Sequence, residues 1–206
     1  MRTLIALLAL LALSGLAVST LTSCGKSTTS TAPIVQTSTN GGDEQLPLVN
    51  GQGPPLETPP DSIVARAEKF FRGPIGPTML TIAGVPGNVI GNAANSWLGV
   101  PYVWGGNSRS GVDCSHLVYQ VYHQAGIGSY PFLTTSAMKT YGHFICVNWS
   151  SDPGDIVLFV NLGHTGIYMG GGWMVDADSY YGRVMWDNLN SSYWQSMRPY
   201  PVRYMP

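Results

Sequence analysis

The sequence predicts an α+β domain in which helices come first and pack on an antiparallel sheet. Two observations carry that prediction. Apolar residues recur at helical spacing in three stretches between residues 61 and 126. After residue 150 the period becomes that of short strands broken by Gly, Asn and Asp.

The first helical stretch, DSIVARAEKFFRG (61–73), sets Ile63, Val64, Ala67, Phe70 and Phe71 on one face. Asp61 or Ser62 supplies its cap and Gly73 its stop. Residues 73–87 read as a loop holding one short apolar piece. NVIGNAANSWLG (88–99) is a second amphipathic helix, expected to turn Val89, Ile90, Ala93, Trp97 and Leu98 inward. VPYVWGGNSRSG (100–111) is a Gly-rich turn. It leads into a third helix within GVDCSHLVYQVYHQAG (111–126), where Leu117, Val118, Val121, Tyr122 and Ala125 form the apolar face and Gly126 ends it. The runs DIVLFV, HTGIYMG, GWMVDAD and RVMWDN then follow as strands of an antiparallel meander.

The residues ahead of this domain have a different character. Arg2 precedes an apolar stretch from Leu4 to about Val18, shorter than a membrane span and shaped like an export signal. The LTSC that follows, Leu21 to Cys24, resembles the lipobox of bacterial lipoprotein precursors. That resemblance implies a signal peptide over 1–23, cleavage before Cys24 and lipidation of Cys24, which would anchor the chain to a membrane. Ser, Thr, Gly and Pro dominate residues 25–60 with no persistent apolar period, so 24–60 is expected to be a flexible linker and 61–206 the folded domain.

Ten Lys and Arg balance eleven Asp and Glu, a net charge of −1, so no basic field is available to hold nucleic acid. A monomer is expected. No metal or other cofactor is expected either, because neither HExxH nor paired CxxC spacing occurs.

Three cysteines are present: Cys24, Cys114 and Cys146. Cys146 lies in HFICVNW, an apolar run that suits a buried strand and an inert thiol, although a Cys114–Cys146 disulfide is also open. Cys114 stands at a helix entrance, where unpaired N–H groups favour negative charge, so a thiolate nucleophile is possible there. Such a nucleophile needs a base. Of the four histidines, His164 opens a strand whose hairpin partner carries two aspartates on one face. Pairing Tyr168 with Gly172 sets His164 opposite Asp176, and pairing Met169 with Trp173 sets it opposite Asp178. Either register gives the imidazole a carboxylate neighbour.

At these residues the chain resembles the NlpC/P60 family of cell-wall peptidases, over about residues 90–205. WLGVPYVWGG, VDCSHLV, PGDIVLF and HTGIYMGGGWMVDA occur in the family's order. Tyr102 lies 12 residues before Cys114, and Asp176 lies 12 after His164. The resemblance implies a papain-like fold with Cys114 as nucleophile, His164 as base and Asp176 as the orienting third group. It also implies that Tyr102 and the Cys114 N–H face the oxyanion, and that Asp113 and Ser115 help position substrate. Two residues depart from the pattern. Asp176 stands where the family more often has His, Asn or Gln. His116 stands where Gly is common, so its ring either narrows the cleft or plays a surface role.

The implied activity is hydrolysis of amide bonds in bacterial peptidoglycan stem peptides, most often the bond from D-γ-glutamate to the diamino acid. Two alternatives belong to other classes: an inactive peptidoglycan-binding lipoprotein, and a thiol amidase or acyltransferase acting on a non-wall substrate. The expected location is the cell envelope, on the periplasmic face of a Gram-negative outer membrane or otherwise on the outer face of the cell membrane.

Overall fold

The computed structural model describes residues 35–36, 45–64, 81–149 and 153–206. The signal peptide, Cys24 and most of the expected helix at 61–73 lie outside the described residues, and 61–64 are helical as expected. The main helices are α1 (Gly87–Asn95) and α2 (Cys114–Gln124), with single turns α3 (Thr135–Met138) and α4 (Ser192–Ser196). Six strands form the sheet: β1 (Phe144–Cys146), β2 (Ile156–Phe159), β3 (Thr165–Gly170), β4 (Trp173–Asp178), β5 (Arg183–Asn188) and β6 (Pro199–Tyr204). Their spatial order is β5-β4-β3-β2-β6-β1, and every neighbouring pair is antiparallel. This is the predicted α+β arrangement of helices on an antiparallel sheet.

Strand alternation gives the sheet two buried faces. Ile156, Leu158, Ile167, Val175 and Ala177 pack with Ile90, Leu117, Val118 and Val121 of α1 and α2. Val157, Phe159, Tyr168 and Met174 face the other way, onto Trp194, Met197, Leu46 and Val49. Because β2 to β4 are covered on both sides, they read in sequence as almost unbroken apolar runs.

Four details differ from the sequence reading. Val89 and Leu98 are 36% and 40% exposed. Val89 is only the third residue of α1, and Leu98 lies beyond its end, in the turn that closes at Gly99 with φ +80°. Cys146, expected in the core, is exposed because β1 is an edge strand paired only with β6. Cys114 is a free thiol, in keeping with its reading as a nucleophile rather than half of a disulfide with Cys146.

The fourth difference is at the linker. From Gln45 onward the chain is laid against the domain: Leu46 and Val49 are buried, and Leu46 N–H donates to Ser179 Oγ at 2.8 Å. Tyr193 and Tyr181 hydroxyls donate to the Pro47 and Pro54 carbonyls, each at 2.9 Å. A polar, proline-rich composition does not reveal the few apolar anchors that dock such a segment.

Strand β6 is legible only in the fold. PYPVRY carries two prolines, which argue against a strand because each lacks a ladder donor. Pro199 and Pro201 lie in the half of β6 that pairs with β2 alone, and β1 joins only from Val202 onward. The missing donors therefore fall where one side of β6 has no partner strand. Its Arg203 forks onto the buried Asp155 at 2.8 and 2.9 Å, which ties β6 to the start of β2.

Candidate active site

Helix α2 begins at Cys114 because Asp113 caps it. Asp113 has extended backbone, φ −93° and ψ 175°, and its Oδ1 accepts the His116 N–H at 2.7 Å. Oδ1 also accepts the Ser115 hydroxyl at 2.9 Å. Oδ2 takes the Gly105 N–H at 3.1 Å and lies 3.0 Å from His116 Nδ1. Four contacts occupy the acceptor capacity of this carboxylate. The geometry makes Asp113 the clamp between the Gly-rich turn and the helix start. Ser115 and His116 are fastened to it in turn.

Cys114 lies on the floor of a cleft of about 470 Å³, whose walls include Trp104, His116, Phe132, Thr135 and Gly163. Its Sγ is 3.8 Å from Thr135 Oγ1. His116 stacks on Phe132 with ring centroids 4.1 Å apart, so the His116 ring forms one wall of the cleft. Tyr102 lines a neighbouring hollow with Gln45, Val103, Trp104 and Ser179, and Trp104 lines both hollows. The other two histidines are fastened elsewhere: His123 Nε2 meets the Tyr130 carbonyl at 2.7 Å, and His143 Nδ1 the Met205 carbonyl at 3.1 Å.

His164 sits immediately ahead of β3 and is 4% exposed. Its Nε2 is 2.6 Å from Asp176 Oδ2, and the Cys114 side chain is near enough to act on the charge of its ring. With Nε2 committed to the carboxylate, Nδ1 is the nitrogen left for the thiol. Trp194 stacks against the imidazole at 5.5 Å and 23°, and Phe159 closes in at 5.9 Å. Sequence reasoning missed both rings.

The observed register joins Tyr168 to Met174 and Gly166 to Asp176, the second of the two registers considered. It carries Asp178 towards the position opposite His164, yet the hydrogen bond runs diagonally to Asp176. Gly166 is what leaves room for this. A Cβ on it would lie 2.9 Å from the Asp176 Cβ and 3.1 Å from Met174 Sδ.

Electrostatics at the site are dominated by burial. Burial opposes charge on His164. The Cys114 side chain and then the Asp178 charge outweigh it, so the imidazole is raised above its ordinary value. Burial, then the Asp178 charge, lifts the Asp176 carboxyl well above the carboxylate range. Asp178 is raised by burial and is held by the Tyr181 N–H at 2.7 Å. Asp187, another residue missed in the sequence, is fully buried on the same face. It follows from strand alternation once Asp176 is paired with Met185, two residues earlier. A thiol, an imidazole and a carboxylate in this order are the groups that nucleophilic amide chemistry requires.

The sequence matches the model of the NlpC/P60 family over residues 99–200, a span that holds Tyr102, Cys114, His164 and Asp176. Residues 99–200 form an NlpC/P60 domain. Over 105 residues the chain is 34% identical to a probable endopeptidase p60 of Listeria grayi, covering 49% of this chain and 19% of that protein. It is 37% identical over 109 residues to the gamma-DL-glutamyl hydrolase of Bacillus subtilis strain 168, covering 50% and 26%. The chain thus spans about a quarter or less of the length of these relatives. Among solved structures, an NlpC/P60 family protein from Bacillus cereus superposes with a TM-score of 0.50 at 26% identity, over 59% of this chain and 41% of that one.

Proposed function

We propose that the NlpC/P60 domain is a cysteine peptidase that hydrolyses amide bonds in peptidoglycan stem peptides, at the bond from D-γ-glutamate to the diamino acid. The observation that carries this reading is the buried His164, set between Asp176 Oδ2 at 2.6 Å and the thiol at the head of α2. The names of the Listeria and Bacillus relatives, an endopeptidase and a gamma-DL-glutamyl hydrolase, support the reaction class and the γ-glutamyl bond.

In this mechanism Cys114 gives its proton to His164 Nδ1, and Asp176 holds the resulting imidazolium through Nε2. The thiolate attacks the peptide carbonyl carbon, and the oxyanion is met by the Cys114 N–H, which has no preceding helical turn to bond. The Tyr102 hydroxyl is proposed as the second donor. His164 passes its proton to the departing amine, and the acyl group remains on sulfur. The imidazole then takes a proton from water, whose oxygen attacks the thioester and releases the new carboxylate and the thiol.

Asp113 and Ser115 are assigned to holding the turn over the cleft, and the His116–Phe132 stack to limiting what enters it. The LTSC segment supports lipidation at Cys24 and attachment to an envelope membrane, with the domain working as a monomer at the wall. Purified muropeptides incubated with the full chain in ¹⁸O-water test the reaction. One heavy oxygen in the new γ-glutamyl carboxylate is the expected result. Transfer of the acyl group to another amine, with no heavy oxygen taken up, would replace hydrolysis by the acyltransferase reading.

A further inference from the structure

Behind His164 three carboxylates converge. Asp176, Asp178 and Asp187 offer oxygens that all lie within 4.8 Å of one another, and the residues are 0%, 0% and 1% exposed. One oxygen of each, Asp176 Oδ1, Asp178 Oδ2 and Asp187 Oδ2, has no hydrogen-bond donor. Three buried anions this close repel strongly, and the imidazolium of His164 can offset only one. At least one carboxyl must keep its proton.

The surroundings decide which. Asp176 Oδ2 receives His164 Nε2 at 2.6 Å, and Asp178 Oδ1 receives the Tyr181 N–H at 2.7 Å. Asp187 is the least supported anion: its Oδ1 has only the neutral indole N–H of Trp194, at 3.1 Å, and its Oδ2 has nothing. We infer that Asp187 is a positioning residue acting as a neutral acid, whose Oδ2–H donates to Asp176 Oδ1, so that His164 is oriented by a hydrogen-bonded carboxyl pair rather than by one carboxylate. A single proton then supplies the two orphaned oxygens of the pair. Burial and the Asp176 and Asp178 charges, which raise Asp187 well above the carboxylate range, agree with this placement. The other titratable groups facing the cluster are His164, Arg183 at the start of β5, Tyr193 of α4, and Tyr180 and Tyr181 between β4 and β5. The role rests on the Cys114–His164 reading, because it acts through the imidazole.

Infrared difference spectra of the full chain, wild type against Asp187→Asn, test the proton directly. A neutral-carboxyl C=O band at neutral pH, lost in Asp187→Asn and kept in Asp178→Asn, is expected. No such band in wild type, or a band that survives Asp187→Asn, would overturn the assignment. Iodoacetamide labelling of Cys114 and muropeptide cleavage give the functional reading. Asp187→Leu leaves Asp176 Oδ1 and the Trp194 N–H without partners and should lower both rates by about tenfold or more. Asp187→Asn, whose amide can serve both, should restore most of the rate with the pH profile in place. If Asp187 were an anion in wild type, Asp187→Asn would move the His164-dependent limb down by about one pH unit, and the proposal would fail. The infrared band and the labelling need no substrate. A wild type that shows both but cleaves no muropeptide would overturn the peptidase reading while supporting the carboxyl pair.

Discussion

Gly166→Ala puts the geometry of the site under a defined strain. The added Cβ would sit 2.9 Å from the Asp176 Cβ and 3.1 Å from the Val175 carbonyl oxygen, both fixed to the neighbouring strand. Ordinary contact begins at 3.4 Å, so β3 and β4 must separate locally by at least 0.5 Å (3.4 − 2.9). Overpacking of this kind costs about 1–3 kcal/mol of stability. The larger effect falls on the 2.6 Å hydrogen bond between Asp176 and His164, which cannot keep its length while Asp176 is displaced. Since misplacing a catalytic group by about 1 Å can cost on the order of 100-fold, kcat/KM should fall by about 10–100-fold. Muropeptide cleavage followed by mass spectrometry, with thermal unfolding in parallel, measures both terms. Gly128→Ala is the control, because a Cβ there meets nothing within 4 Å. A Gly166→Ala chain that melts lower but cleaves within about twofold of wild type would show that diagonal placement of Asp176 does not govern the reaction.

Three further outcomes follow from other parts of the molecule. Asp178 helps to raise His164, against the pull of burial, so Asp178→Asn should let the imidazolium lose its proton at lower pH and draw the alkaline limb of kcat/KM downward; a limb that stays in place would remove Asp178 from the site's electrostatics. Arg203→Met leaves the 0%-exposed Asp155 with an unpaired charge and should destabilise the domain by about 3 kcal/mol in urea unfolding, whereas a loss below about 1 kcal/mol would show that β6 is not held to β2 through this pair. If Cys24 is lipidated, a clickable fatty acid should label the wild-type chain in cells and not Cys24→Ala; an unlabelled wild type would end the lipoprotein reading and leave the domain's chemistry untouched.

The sequence announces Cys114 and His164 because each sits in a compact local pattern: a capped helix start in one case, a strand beginning after a Gly-containing turn in the other. The meander β2 to β5 is equally plain, since its strands are apolar runs separated by turn residues. What is not local is harder to read. The partner of His164 depends on hairpin register, and the bulge at Trp173–Met174 selects the pairing that carries Asp178 towards His164. Only the empty side of Gly166 explains why Asp176 makes the bond. Asp187 and Trp194 come from β5 and α4, far along the chain, and only their three-dimensional meeting shows that they complete the back of the site. Strand β6 was hidden by its prolines. The docking of residues 45–57 was hidden by a composition that normally means a loose tether.

The measurement that tests the central claim most directly is cleavage of purified muropeptides by wild type and Cys114→Ala side by side, with products identified by mass. Cys114 is 5% exposed at the head of α2, and truncating it removes little volume, so the variant should fold with an unchanged melting profile. The account predicts a new γ-glutamyl carboxylate and a new diamino-acid amine with wild type, and neither with Cys114→Ala. A folded Cys114→Ala chain that still cuts this bond would contradict it.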